Sequence, residues 1–198
     1  DDGEYIAVGT AYEPHHSTAR EGEVYLFHKD STTPIWNYTV GEWVRSVDIS
    51  ADGEYIAVGN LQETLLFHKD NNTPLWNYTM DYVKSVAISA DGEYIAVGSG
   101  GGSGSTGKVY LFDKDNRTPL WNYTTENLVT AVAISADSEY IVAGTEGSGA
   151  TTDNKIYLFD KDSNTPLWDY EGGTVTSVAT SADGEYIAVG SSGKKDKV

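Results

Sequence analysis

The chain has 198 residues, with 30 Asp or Glu against 13 Lys or Arg, for a formal net charge of −17. That charge repels nucleic acid and anionic lipid, and the absence of cysteine excludes disulfides, zinc–thiolate centres and thiol catalysis. Mean hydropathy is −0.40 and no apolar run approaches the ~18 residues of a membrane span, so membrane insertion of this chain is not expected.

The chain opens Asp1-Asp2-Gly3 rather than on Met, and we expect a processed product or part of a longer array. The first element is Glu4-Tyr-Ile-Ala-Val-Gly9, a short run of residues that suit a pleated surface. Residues 10–23 form a loop, and Val24-Tyr-Leu-Phe27 is the second run. A turn through Thr33-Pro34 leads to Trp36-Asn37-Tyr38-Thr39. A fourth run fills 44–50, and at Asp52 the cycle restarts. Asp-Gly-Glu-Tyr-Ile-Ala-Val-Gly begins at residues 2, 52, 91 and 183, with a variant, Asp-Ser-Glu-Tyr-Ile-Val-Ala-Gly, at 137. A second phrase, Thr-Pro-(Leu/Ile)-Trp-(Asn/Asp)-Tyr, carries Trp36, Trp76, Trp121 and Trp168. The period of roughly 39–50 residues, with four short runs in each, is the signature of propeller blades.

The predicted fold is therefore all-β: a β-propeller of four-stranded antiparallel blades with essentially no helix. About four and a half repeats are visible, as part of a larger ring or assembly. The whole chain, 1–198, reads as one array with blades near 1–42, 43–81, 82–127 and 128–173 and a partial blade at 174–198. We name the strands a to d from axis to rim. Strand a is predicted at 44–50, 83–89, 129–135 and 175–181, and strand c at 24–27, 64–67, 109–112 and 156–159. Strands b and c are apolar on both faces, as in sheets packed between two neighbours. Strand d alternates, with Trp36 and Tyr38 facing one way and Asn37 and Thr39 the other, which suits a half-exposed edge. The count is four a, five b, four c and four d strands, which leaves the first blade without its a strand and the last without c and d.

The stretch Lys108-Val-Tyr-Leu-Phe-Asp-Lys-Asp-Asn-Arg-Thr-Pro-Leu-Trp121-Asn-Tyr resembles the repeat of pyrroloquinoline-quinone-like propellers, in which an Asp precedes a blade-docking Trp by eight residues. Asp113 and Trp121 keep that spacing, as do Asp160 and Trp168. Ser-Ala-Asp-Gly-Glu-Tyr-Ile-Ala-Val-Gly is similar to the inner strands of WD-repeat propellers. By this resemblance Trp36, Trp76, Trp121 and Trp168 are expected to dock one blade on the next. The usual Thr-Gly of the quinone-type repeat is Thr-Pro here, and the Gly-His of WD repeats is absent.

Within the chain the a–b and c–d turns repeat closely, whereas the b–c loops at 10–23, 60–63, 99–108 and 145–155 diverge. All leave one face together with the d–a junctions, where Trp43, Tyr82, Leu128 and Thr174 are equivalent. A diversified face on a repeated scaffold is where binding is expected. The candidates there are Trp43, Tyr82, Tyr12, His15 and His16. His28, His68, Asp113 and Asp160 share one position at the end of strand c; strand c lies about 10 Å outside strand a, too far apart around a ring to share one ion, so these are read as strand caps. No catalytic, cofactor or metal residues are assigned. Asn37, Asn77 and Asn122 each begin an Asn-Tyr-Thr glycosylation acceptor, and the fourth repeat has Asp169 instead.

These features point to a non-enzymatic, extracellular or cell-surface propeller from an archaeon or bacterium, with a structural, self-assembling or interaction role. Its expected partners are copies of itself, glycan or other surface proteins, and not nucleic acid. One alternative is a glycan- or protein-recognition module using the b–c loop face. A second is a fragment of a quinone-type dehydrogenase.

Overall fold

The computed structural model describes residues 3–12, 21–101, 106–147 and 154–193, which form seventeen strands and no helix. Strand a is β4 (Val44–Ile49), β8 (Val83–Ile88), β12 (Leu128–Ile134) and β16 (Thr174–Thr180). Strand b is β1 (Tyr5–Gly9), β5 (Tyr55–Asn60), β9 (Tyr94–Gly100), β13 (Tyr140–Glu146) and β17 (Ile187–Ser192). Strand c is β2 (Gly22–His28), β6 (Glu63–His68), β10 (Gly107–Asp113) and β14 (Asn154–Asp160). Strand d is β3 (Trp36–Val40), β7 (Asn71–Thr79), β11 (Trp121–Thr125) and β15 (Trp168–Gly172). Three antiparallel sheets are complete, β4 to β7, β8 to β11 and β12 to β15; the first sheet is β1-β2-β3 and the last β16-β17. The strand inventory is the one expected from the sequence.

The a–b turn recurs because its side chains close it. Ser50 Oγ donates to Asp52 Oδ1 at 2.6 Å, Asp52 Oδ1 accepts the Glu54 N–H, and Ser50 Oγ accepts the Tyr55 N–H. Gly53 has φ +72°, a conformation glycine adopts without strain. In the variant repeat Ser138 takes that place at φ 67°. Its hydroxyl donates to Asp91 Oδ1 in the neighbouring turn at 3.2 Å.

The core lies between sheets rather than within them. Ala57 and Leu66 of one blade pack with Val83, Val86, Ile95 and Phe112 of the next. Strands b and c of the complete blades are accordingly buried on both faces. Strand d alternates as predicted, with Trp36 and Tyr38 half-buried and Asn37 and Thr39 exposed. The terminal sheets differ. Ile6 and Val8 are 49% and 37% exposed, while their equivalents Ile56 and Val58 are fully buried. At the other end Trp168, Tyr170 and Tyr186 are 42%, 59% and 73% exposed.

Three details depart from the sequence reading. Every a strand carries a register shift at one place, between Val44 and Ser46, Val83 and Ser85, Val129 and Ala131, and Val175 and Ser177. A β-bulge adds one residue there and increases local twist. The strands reach further into the b–c loops than expected: Gly100 pairs Gly107 across one b–c hairpin, and strand c of the fourth sheet already begins at Asn154, paired with Gly172 of strand d. Asn71-Asn-Thr-Pro74 lies within β7 rather than in a turn, tied by the His68–Asn71 pairing.

Candidate interaction surfaces

The blade-docking tryptophans form one joint repeated three times. Trp36 Nε1 donates to the Lys69 carbonyl, Trp76 Nε1 to Lys114 and Trp121 Nε1 to Lys161, each at 2.7 Å. Each indole also lies 5.4 Å from the phenyl ring of the next blade, Phe67, Phe112 and Phe159 respectively. Those three phenylalanines are fully buried. Trp168 is the fourth member, and strands c and d of a following blade are not among the described residues.

On the diversified face the structure brings three residues together. Tyr12 exchanges backbone hydrogen bonds with Glu21, at 2.8 and 3.2 Å, and is 57% exposed. Its carbonyl accepts the Trp43 indole N–H at 3.3 Å. The Arg45 guanidinium lies 5.8 Å from the Trp43 ring centre, within range of a cation–π contact. Arg45 was not among the sequence candidates; it sits on the bulge of β4, where no strand alternation reports its direction. Tyr82 is separate from this cluster. It holds φ 40°, its carbonyl accepts the Gly100 N–H at 3.1 Å, and its N–H donates to the Leu61 carbonyl. Its ring lies against Gly101, so Tyr82 braces the β9–β10 hairpin. His15 and His16 lie outside the described residues.

Asn37, Asn77 and Asn122 are all exposed on strand d, with their acceptor threonines on the same outward face. Asn77 Nδ2 donates to Glu63 Oε2 at 2.7 Å and Asn37 Nδ2 to Glu23 Oε1 at 3.3 Å. In the fourth repeat Asp169 instead lies 3.6 Å from Lys155 Nζ. The rim also carries Ile35, Leu75, Leu120 and Leu167, one aliphatic per blade and each about half exposed. A shallow groove of about 380 Å³ beside Leu75 is walled by Tyr38, Pro74 and Arg117.

The strand-c caps serve the c–d turn. His28 Nδ1 and His68 Nδ1 accept the N–H two residues on, at 3.3 Å, as Asp113 Oδ1 and Asp160 Oδ1 do at 2.8 and 2.9 Å. No group of three or more His, Asp or Glu placed to hold a metal occurs among the described residues.

Near the axis, Asp48, Ile88, Ile134 and Thr180 border a depression of about 320 Å³. Asp48 stands where the other blades have Ala87, Ala133 and Ala179. Its Oδ2 accepts the Ile88 N–H of the next blade at 2.9 Å and its Oδ1 accepts the Ile49 N–H. Burial lifts the Asp48 carboxyl above its ordinary range, with those two bonds opposing. The folded chain thus holds this proton more tightly than the unfolded chain. The charged carboxylate costs stability that is fully felt above the folded pKa and is relieved as pH falls through it. Thermal melts of wild type and Asp48→Ala between pH 7 and pH 4 are expected to show the difference in Tm moving in favour of wild type as pH falls. A difference constant with pH would show that Asp48 titrates normally.

The WD domain, G-beta repeat family model matches residues 72–113, 117–160 and 164–198, and each match takes the strands in the order d, a, b, c where they are described. Among solved structures, Kuenenia stuttgartiensis hydrazine synthase is similar with a TM-score of 0.71 and 18% identity, over 84% of this chain and 49% of that one. The Myceliophteria thermophila Cps50 (Swd1) β-propeller domain is similar with a TM-score of 0.69 and 12% identity, over 93% of this chain and 65% of that one. The chain therefore spans about half of the first and under two thirds of the second. No curated protein matches in sequence. With repeats matched over more than half of its length and blades that dock through a common joint, the chain belongs to the WD-repeat family.

Proposed function

We propose that this WD-repeat array is a non-enzymatic module at or outside the cell surface, with a structural, self-associating role. The observation that carries the reading is the row of exposed acceptor asparagines on strand d, Asn37, Asn77 and Asn122; self-association is supported by the apolar side chains that the outermost described sheets leave exposed. One sheet displays Trp168 and Tyr170; the other displays Ile6 and Val8. Inside the chain these same positions face each other and are covered. An exposed apolar sheet face favours association. Light scattering of the 198-residue chain is expected to give a mass above the 21.4 kDa of one copy. A compact species at the single-chain mass, unchanged with concentration, would overturn self-association.

The surface location is supported by three acceptor asparagines on the exposed face of strand d. Glycopeptide mapping of protein from its native source is expected to find glycan at Asn37, Asn77 or Asn122. Three unmodified sites would remove that support. A second reading, recognition of a glycan or protein on the diversified face, is favoured by the Tyr12–Trp43–Arg45 cluster, since aromatic and Arg side chains are common anchors of binding surfaces. Trp43→Ala would then abolish partner capture while leaving the chain folded.

A further inference from the structure

We propose that the hollow beside the a–b turns receives a lysine side chain from a basic segment of a partner protein, with the ammonium seated on Asp48. Strand a runs from the d–a junction to the a–b turn, so this site lies on the face opposite the Tyr12–Trp43–Arg45 cluster. It rests on neither self-association nor a surface location.

The hollow is built where strands a run into their turns. Ile88 and Ile134 supply apolar wall, Ala51, Ala90 and Ala136 lie beside the turns, and Asp48 stands on the border of a volume of about 320 Å³. The turns are tied from blade to blade. The Ala51 N–H donates to the Ala90 carbonyl and the Asp137 N–H to the Ala182 carbonyl, both at 3.0 Å. A concave, mostly apolar site that is already formed and bears a well-placed polar group is the usual shape of a ligand pocket.

Asp48 is the residue that points to a cation. The other blades hold Ala87, Ala133 and Ala179 at this position, so strand a forms without a carboxyl there. Burial acts against the charged form of Asp48, and its two backbone bonds oppose this only in part. Those bonds, from the Ile49 and Ile88 N–H groups, take one acceptor site on each oxygen, of the roughly four that a carboxylate offers. An ammonium takes a remaining site and offsets the cost of burial, since a buried charge is tolerated when it is paired. A lysine fits better than a bare cation. Its aliphatic stem lies along apolar surface while its head keeps the charge, and here the apolar surface is that of Ile88 and Ile134.

The turns on this face supply the charge that a basic segment complements. Lys69 Nζ lies 2.9 Å from Asp70 and 3.6 Å from Glu54. Lys114 Nζ lies 3.0 Å from Asp115 and 3.3 Å from Glu93, and Lys161 Nζ 3.0 Å from Asp162 and 3.4 Å from Glu139. Each turn lysine is therefore outnumbered by the carboxylates that hold it, and Asp52, Asp91 and Asp137 add to them. An acidic face on a chain of net charge −17 steers a cationic segment toward the hollow. A second copy of the chain carries the same charge and does not suit this face.

Amide NMR of the isotope-labelled chain reads the site directly. The probe is the peptide Arg-Gly-Lys-Gly-Arg, blocked at both ends. It is expected to shift the Ile49 and Ile88 amides, whose N–H groups bond Asp48, in a saturable way. Acetylating the central lysine side chain keeps its stem and removes its charge. That change is expected to weaken binding by roughly tenfold or more, as the loss of one member of a desolvated charge pair does. Asp48→Ala, which installs the residue of the other blades, is expected to do the same with the rest of the spectrum unchanged. Ala136→Trp, at an exposed position bordering the hollow, is expected to fill it and block the peptide. Shifts spread over the acidic turns, and insensitive to acetylation and to Asp48→Ala, would show charge attraction alone and overturn the site. The absence of any shift at Ile49 and Ile88 with millimolar peptide would overturn it as well. Butylammonium binding as tightly as the peptide would overturn the protein partner and make the ligand a free amine.

Discussion

Trp121→Ala is expected to destabilise the chain by about 3 kcal/mol, at the lower end of the range for removing a large aromatic from a packed site. Trp168→Ala, the same residue in the next repeat, should cost less than about 1 kcal/mol at concentrations where the chains are separate, as surface changes do. The contrast follows from the joint. Trp121 stacks against Phe159 and donates to the Lys161 carbonyl at 2.7 Å, so its removal opens a gap between two sheets and leaves that carbonyl without its indole donor. Trp168 is 42% exposed and has no following c strand in the described chain to dock on. Urea denaturation of both variants, followed by far-UV circular dichroism, measures the two values. Equal losses would show that the tryptophan stabilises its own blade rather than the joint between blades.

Much of this fold was legible because the chain repeats itself. Comparing Trp36, Trp76, Trp121 and Trp168 showed a shared task, and the resemblance to known propellers named it as docking. The partner was not legible. It is a backbone carbonyl 33 to 40 residues further on, borne by lysines whose side chains take no part in the bond. The open ends could be counted from the sequence, since b strands outnumber a strands. How apolar they are needed the structure, because Ile6 and Ile56 occur in identical phrases and differ only in what covers them. The bulges in strand a were invisible for a related reason. Val-Arg-Ser-Val and Val-Lys-Ser-Val read as plain alternation, and only the register shows that Arg45 and Lys84 are extra residues. The Tyr12–Trp43–Arg45 cluster joins a b–c loop to a d–a junction, a contact that no spacing along the chain reports.

The recurring glycine at the end of the Tyr-Ile-Ala-Val-Gly phrase gives the other large expected effect. Gly98→Ala should cost about 1–3 kcal/mol, the usual penalty of overpacking a filled core. A Cβ on Gly98 would sit 2.6 Å from Val129 Cγ1 and 3.0 Å from Val132 Cγ1, both on strand a of the next blade. Val129 is fully buried and Val132 nearly so, and β-branched side chains have little freedom to turn aside. The sheets must therefore separate. The same valine-on-glycine contact recurs where Val83 meets Gly59 and Val175 meets Gly144, so this glycine sets how closely successive blades approach. Removing the obstructing methyls should restore part of the loss. Gly98→Ala combined with Val129→Ala is expected to be less destabilised than the sum of the two single changes, with a coupling of about 1 kcal/mol or more. Gly41→Ala is the control, since nothing lies within 4 Å of its Cβ position; it should change stability by under about 0.5 kcal/mol. Strict additivity in the Gly98–Val129 cycle would mean that the glycine is needed for the conformation of its own strand, and that blade spacing is set elsewhere.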